Sequence, residues 1–225
     1  MISVKEFQKL SFVWDSVAPF LDIYARRQRN QTHQYAESVP MQGKDPSYAA
    51  FVAELGFDIA RKKWFHKKTT NQALAQLTLR RLIKLDGYSL NSVSPKMMRE
   101  ASKISDNILD YIRSRKCNKV IYSPEVPGCG IVDKAVADLL VDDELIEIKA
   151  VKRPFASSDY KQLLTYTCML WSAGKNIQRV TLLNPRWGVD SSFPLSSLAL
   201  SISGCTSATF LHNIQLNMQE LRTSA

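Results

Sequence analysis

What the chain lacks narrows it first. No apolar run approaches the roughly 18 residues a membrane helix needs, so no membrane span is expected. The opening residues, Met1-Ile2-Ser3-Val4-Lys5-Glu6, show no basic stretch leading into an apolar segment, and no secretory signal is expected. Only four cysteines occur among 225 residues (Cys117, Cys129, Cys168 and Cys205), and none forms a Cys-x-x-Cys pair. That argues against a zinc ribbon or a disulfide scaffold and fits free thiols in a reducing cytoplasm. His33, His66 and His212 stand apart, without metal-ligand spacing. No internal repeat, low-complexity tract or ATPase motif is visible.

Acids are also in short supply. The chain has 30 Lys+Arg against 21 Asp+Glu, a net charge of +9. Such a surplus points to a polyanionic partner but says little about fold. Residues 1–95 hold 14 basic and 8 acidic side chains, so six of the nine excess charges lie there. The densest run is Arg61-Lys62-Lys63-Trp64-Phe65-His66-Lys67-Lys68. Basic residues mixed with aromatics suit phosphate gripping and base stacking, which makes Lys62 and Lys63 candidate substrate-binding residues. The plainer alternative is the solvated end of an amphipathic helix.

The first half reads as helical. Val4 to Arg29 carries Phe7, Leu10, Val13, Val17, Phe20, Leu21 and Tyr24 at helical spacing, with a break at Pro19. Residues 30–45 read as a loop. Pro46 to Lys63 predicts a helix capped by Asp45, Thr70 to Leu85 another ending near Gly87, and Ser94-Pro95 opens one reaching about Arg115. The texture then changes. Lys119 to Val126, Ile131 to Val141 and Glu144 to Val151 predict three strands. A helix over 157–173 with Ser158 as N-cap, a strand over 179–183, an irregular stretch over 186–207 with a strand near Phe193, and a last helix over 209–221 complete the pattern. The fold class is α/β, with a basic helical region over 1–94, expected to bind nucleic acid, and a core over 95–225.

The most informative stretch is Ala137-Asp138-Leu139-Leu140-Val141-Asp142-Asp143-Glu144-Leu145-Ile146-Glu147-Ile148-Lys149. A hairpin turning between Asp142 and Asp143 sets Val141 opposite Glu144, Leu140 opposite Leu145 and Asp138 opposite Glu147. Lys149 then shares the face of Glu147, while Ile146 and Ile148 point the other way into a core. Two opposed carboxylates repel each other and destabilise a sheet unless something compensates. A divalent cation such as Mg²⁺ or Mn²⁺ does so with hard oxygen ligands, keeping positions for water and a substrate phosphate. A neighbouring lysine can hold the scissile phosphate and acidify an attacking water. Taken alone, Glu-x-Lys is an ordinary surface alternation. Lys152 and Arg153 flank the hairpin as candidate phosphate ligands.

This arrangement resembles the PD-(D/E)XK nuclease superfamily, over roughly residues 95–185. The acidic pair and lysine fall on Asp138, Glu147 and Lys149, and Gln162-Leu163-Leu164-Thr165-Tyr166 is similar to the Gln-x-x-x-Tyr motif of the RecB-type branch. The resemblance implies a restriction-endonuclease-like core (helix, three-stranded antiparallel hairpin unit, helix, strand). It also implies that Gln162 and Tyr166 line the substrate groove, and that Glu125 or Glu100 is a further metal ligand beside Asp138 and Glu147. Ala135 stands where the branch often has Gly, and no Pro precedes Asp138. The expected function is Mg²⁺- or Mn²⁺-dependent hydrolysis of DNA, as endonuclease or exonuclease, in the cytoplasm. A separate helicase or recombination factor is the expected protein partner. The alternatives are an RNA-cleaving nuclease, or a silent nucleic-acid-binding or scaffold protein on the same fold.

Overall fold

Ser3 caps a first short helix, α1 (Val4–Phe7), which is followed by α2 (Ser11–Val17) and α3 (Leu21–Gln28). The helical periodicity over 4–29 is therefore cut twice, before Ser11 and around Pro19. A computed structural model of the chain describes residues 1–43, 45–86, 90 and 92–223; the helix end expected at Gly87 lies outside them. Strand β1 (His33–Gln34) sits within the stretch expected to be loop. Then come α4 (Pro46–Trp64), α5 (Asn71–Asp86) and α6 (Pro95–Ser114). As expected, Asp45 caps α4 by accepting from the Ser47 N–H, and Ser94 caps α6 by accepting from the Met97 N–H.

The three expected strands become five. They are β2 (Val120–Tyr122), β3 (Glu125–Val126), β4 (Ala135–Val136), β5 (Leu139–Val141) and β6 (Glu144–Ile148). The first two are each split by a bend, at Ser123-Pro124 and Ala137-Asp138. Ser123 has a left-handed backbone (φ +53°) and its N–H donates to the Asp138 carbonyl. Proline lacks an N–H and favours such a break. Beyond the bend, β3 and β4 form a separate antiparallel ribbon. Helix α7 (Ser157–Ser172), β7 (Arg179–Asn184), β8 (Val189–Pro194), α8 (Leu195–Ser203) and α9 (Ser207–Thr223) complete the chain. The strand near Phe193 is present as β8, whereas α8 occupies residues expected to be irregular. The N-cap of α7 is Ala156 rather than Ser158, because the Asp159 carboxylate accepts the Ala156 N–H at 2.8 Å and fixes the first turn there.

The main sheet runs β1-β8-β7-β6-β5-β2, with β6 and β7 parallel and the other neighbours antiparallel. It is a mixed α/β sheet with a helical layer on each face. One core gathers Phe51, Leu55 and Ile59 of α4 and Ile104, Ile108 and Ile112 of α6 against Leu139, Val141, Ile146 and Leu183. The other gathers Phe7, Trp14 and Leu21 with Leu145, Leu163, Leu164, Phe210 and Ile214. Each such buried side chain contributes about 1.5–3 kcal/mol. Gly56 permits the close crossing of α4 and α6, since a Cβ there would stand 2.7 Å from Ile104 Cγ2. Residues 1–94 are divided between the two faces. α1–α3 belong to the α7 side and α4–α5 to the α6 side, so both cores draw on residues before and after position 94.

Candidate active site

The hairpin register matches the expected pairing: Val141 opposes Glu144, Leu140 opposes Leu145 and Leu139 opposes Ile146. Asp138 lies one step beyond the last ladder pair, at the bend, opposite Glu147. The period of two sends Ile146 and Ile148 to the α6 side and Leu145 to the α7 side. Asp138 Oδ2 accepts the Ile148 N–H at 2.7 Å, which fixes the carboxylate across the hairpin. Glu147 is only 4% exposed. Its Oε1 accepts from Lys149 Nζ at 2.8 Å, and the same Nζ donates to Gln162 Oε1 on α7 at 2.7 Å. Gln162 Nε2 donates in turn to the Tyr166 hydroxyl at 3.3 Å. Glu147, Lys149, Gln162 and Tyr166 are thereby joined in one hydrogen-bonded chain, and Asp138 is coupled to Glu147 and Lys149 by charge.

The electrostatics of this network are unbalanced. Burial, then the charge of Glu147, push the Asp138 carboxyl up to about 8, against the pull of the Ile148 N–H and Lys149. Burial likewise raises Glu147, although Lys149 opposes it. For Lys149, burial acts downward, but the charge and hydrogen bond of Glu147, with Asp138 and Asp159 behind them, outweigh it and the net shift is upward. Other buried carboxylates lie against arginines, although Glu144 and Asp190 (which also meets His33) share Arg115. Asp58 pairs with Arg61 and Arg81, Glu100 with Arg186, Glu144 with Arg115 and Asp159 with Arg153. Glu147 is ion-paired to Lys149, and Asp138 feels that ammonium only through its charge. With both carboxylates ionised the pair is one positive charge short, and two hard oxygen donors beside an ammonium fit Mg²⁺ or Mn²⁺.

The remaining candidates are placed differently. Glu100 is buried beneath the sheet end and spent on Arg186 Nη1 at 2.5 Å, the Tyr48 hydroxyl at 2.8 Å and the Gln42 N–H at 3.2 Å. Glu125 is exposed on the β3–β4 ribbon, opposite Val136. Among the described residues no three His, Cys, Asp or Glu side chains form a metal-holding group, so neither glutamate joins Asp138 and Glu147. Mg²⁺ commonly uses only one or two protein carboxylates, so the pair needs no third. Arg153 is clamped in a two-bond pair to Asp159, at 2.6 and 2.8 Å, while Lys152 is exposed beside Arg186 and Trp187. Lys62 donates to Asn71 and Lys63 to Asp106, across helix surfaces away from the hairpin network.

Asp159 and Arg81 were not anticipated. Asp159 is buried, caps α7 and acts electrostatically on both Glu147 and Lys149. A carboxylate at the third position of a helix is its one signal in the sequence. Arg81 reaches the Asp138 cleft only through the packing of α5 on α4, which no local pattern announces. No family model, curated protein or solved structure matches the chain.

Proposed function

We propose that the chain is a metal-dependent nuclease of the PD-(D/E)XK type, with a restriction-endonuclease-like core made of α6, the β2–β6 hairpin unit, α7 and β7, hydrolysing DNA phosphodiester bonds in the cytoplasm. The observation that carries this reading is the Asp138–Glu147 pair set opposite each other across the hairpin, with Lys149 ion-paired to Glu147 and linked on to Gln162 and Tyr166. Asp138 and Glu147 would hold Mg²⁺ or Mn²⁺. Such an ion, when bound, supplies the missing positive charge and stabilises charge developing on a phosphate. Lys149 remains an ammonium, so it serves as a hydrogen-bond donor and a positive charge toward an attacking water or phosphate oxygen, not as a base. Gln162 fixes the direction of that ammonium, and Tyr166 fixes Gln162. Four free cysteines agree with a reducing compartment, and among the described residues no helix is long and apolar enough to cross a membrane.

The test is a parallel incubation of end-labelled linear, circular and single-stranded DNA, and of RNA, with Mg²⁺ or with EDTA. Mg²⁺-dependent cleavage of DNA is expected, and the cleavage of circles distinguishes endonuclease from exonuclease action. Binding without cleavage of any substrate in Mg²⁺ or Mn²⁺ would favour a silent nucleic-acid-binding protein.

A further inference from the structure

The cleft beside Asp138 has a second wall. Glu54 and Phe57 of α4 and Arg81 of α5 face Ser123, Asp138 and Ala150 around a cavity of about 160 Å³. At about 30 Å³ per water, that is room for a few waters or one phosphodiester group. Arg81 is held firmly there. Its Nη2 donates to Glu54 at 2.9 Å and to Asp58 at 3.1 Å. Asp58 is itself anchored, being 4% exposed and bonded to Arg61 and the Thr78 hydroxyl, each at 2.8 Å. Both of these bonds use one nitrogen, Nη2. Asp58 keeps Arg61 as its own cation, so the Arg81 side chain, 40% exposed, presents a fixed guanidinium edge near the hairpin acids.

We propose that Arg81 binds the non-bridging oxygens of a nucleic-acid backbone phosphate lying in the Asp138 cleft. A planar, pre-oriented fork matches two phosphate oxygens better than a flexible ammonium does. The function of the held phosphate rests on the nuclease reading, whereas the contact is testable without cleavage.

The experiment measures binding of a fluorescent DNA oligonucleotide by the full chain carrying Asp138→Ala, over a series of salt concentrations, with thermal unfolding recorded for each variant. Adding Arg81→Ala is expected to weaken binding about tenfold and to reduce the slope of log affinity against log salt by about one. Arg81→Lys, which keeps a cation against Asp58, is expected to keep the slope but lose several-fold in affinity. Unchanged affinity and slope in folded Arg81→Ala overturn the proposal. Should that variant not fold, unchanged affinity in Arg81→Lys overturns it, as does failure of the starting chain to bind DNA. Absence of Mg²⁺-dependent cleavage by the wild-type chain would remove the nuclease reading and leave the Arg81 comparison intact.

Discussion

Lys149 Nζ donates to Gln162 Oε1 at 2.7 Å, which ties the end of β6 to the first half of α7. The same ammonium is hydrogen-bonded to Glu147, so two acceptors from different elements set its direction. Replacing Gln162 with Ala removes one of them without touching either carboxylate. Metal-dependent cleavage is expected to fall about 10- to 100-fold in kcat, with KM changed little, because the ammonium is misdirected while the cleft is intact. Steady-state kinetics of the variant check this.

A second prediction separates Glu100 from the metal pair. Its ion pair with Arg186 has both side chains at 2% exposure or less. Glu100→Ala leaves a buried guanidinium uncompensated and is expected to cost about 3–5 kcal/mol of stability. The stabilisation given by added Mg²⁺ is expected to be unchanged, since the ion would sit on Asp138 and Glu147. Denaturant unfolding with and without Mg²⁺ measures both quantities.

The raised Asp138 carboxyl makes the metal-free protein sensitive to pH. An acid whose folded pKa lies above its unfolded value binds more protons when folded. The contribution of Asp138 to stability is then full below about 4 and is lost as pH rises toward about 8. Melting temperatures in EDTA are expected to drop by several degrees across that window. Asp138→Asn is expected to flatten the curve, and Mg²⁺ is expected to stabilise the wild-type chain most at its alkaline end.

The basic run divides into two parts. Lys62 and Lys63 already have partners in Asn71 and Asp106, whereas Lys67 and Lys68 are exposed. Neutralising Lys67 and Lys68 is expected to reduce the salt slope of DNA binding by up to about two, and neutralising Lys62 and Lys63 by less. Titrations at several salt concentrations distinguish the pairs.

The hairpin was legible because a period of two and one turn determine which residues face each other; Asp138 and Glu147 need no other information. The caps Asp45 and Ser94 were legible for a similar reason, as local chemistry decides them. The strand breaks at Ser123 and Ala137 were not, because they depend on a bend made jointly by two strands. Helix α8 was hidden by its serine content, and its place follows from burial of Leu195, Leu198 and Ile202 in the α7-side core. The fate of Glu100 escaped sequence reasoning because its arginine lies 86 positions away. Arg81 escaped for the same reason, since its neighbours at the cleft come from α4 and the hairpin.

Cleavage of DNA by the proposed Asp138–Glu147–Lys149 constellation with a divalent cation can be tested at its own residues. The most direct measurement compares wild type, Asp138→Ala and Lys149→Ala on labelled DNA in Mg²⁺, with binding assayed alongside. Metal-dependent cleavage by the wild type, loss of cleavage in both variants and DNA binding retained within a few-fold are expected. Cleavage by either variant at the wild-type rate would contradict it.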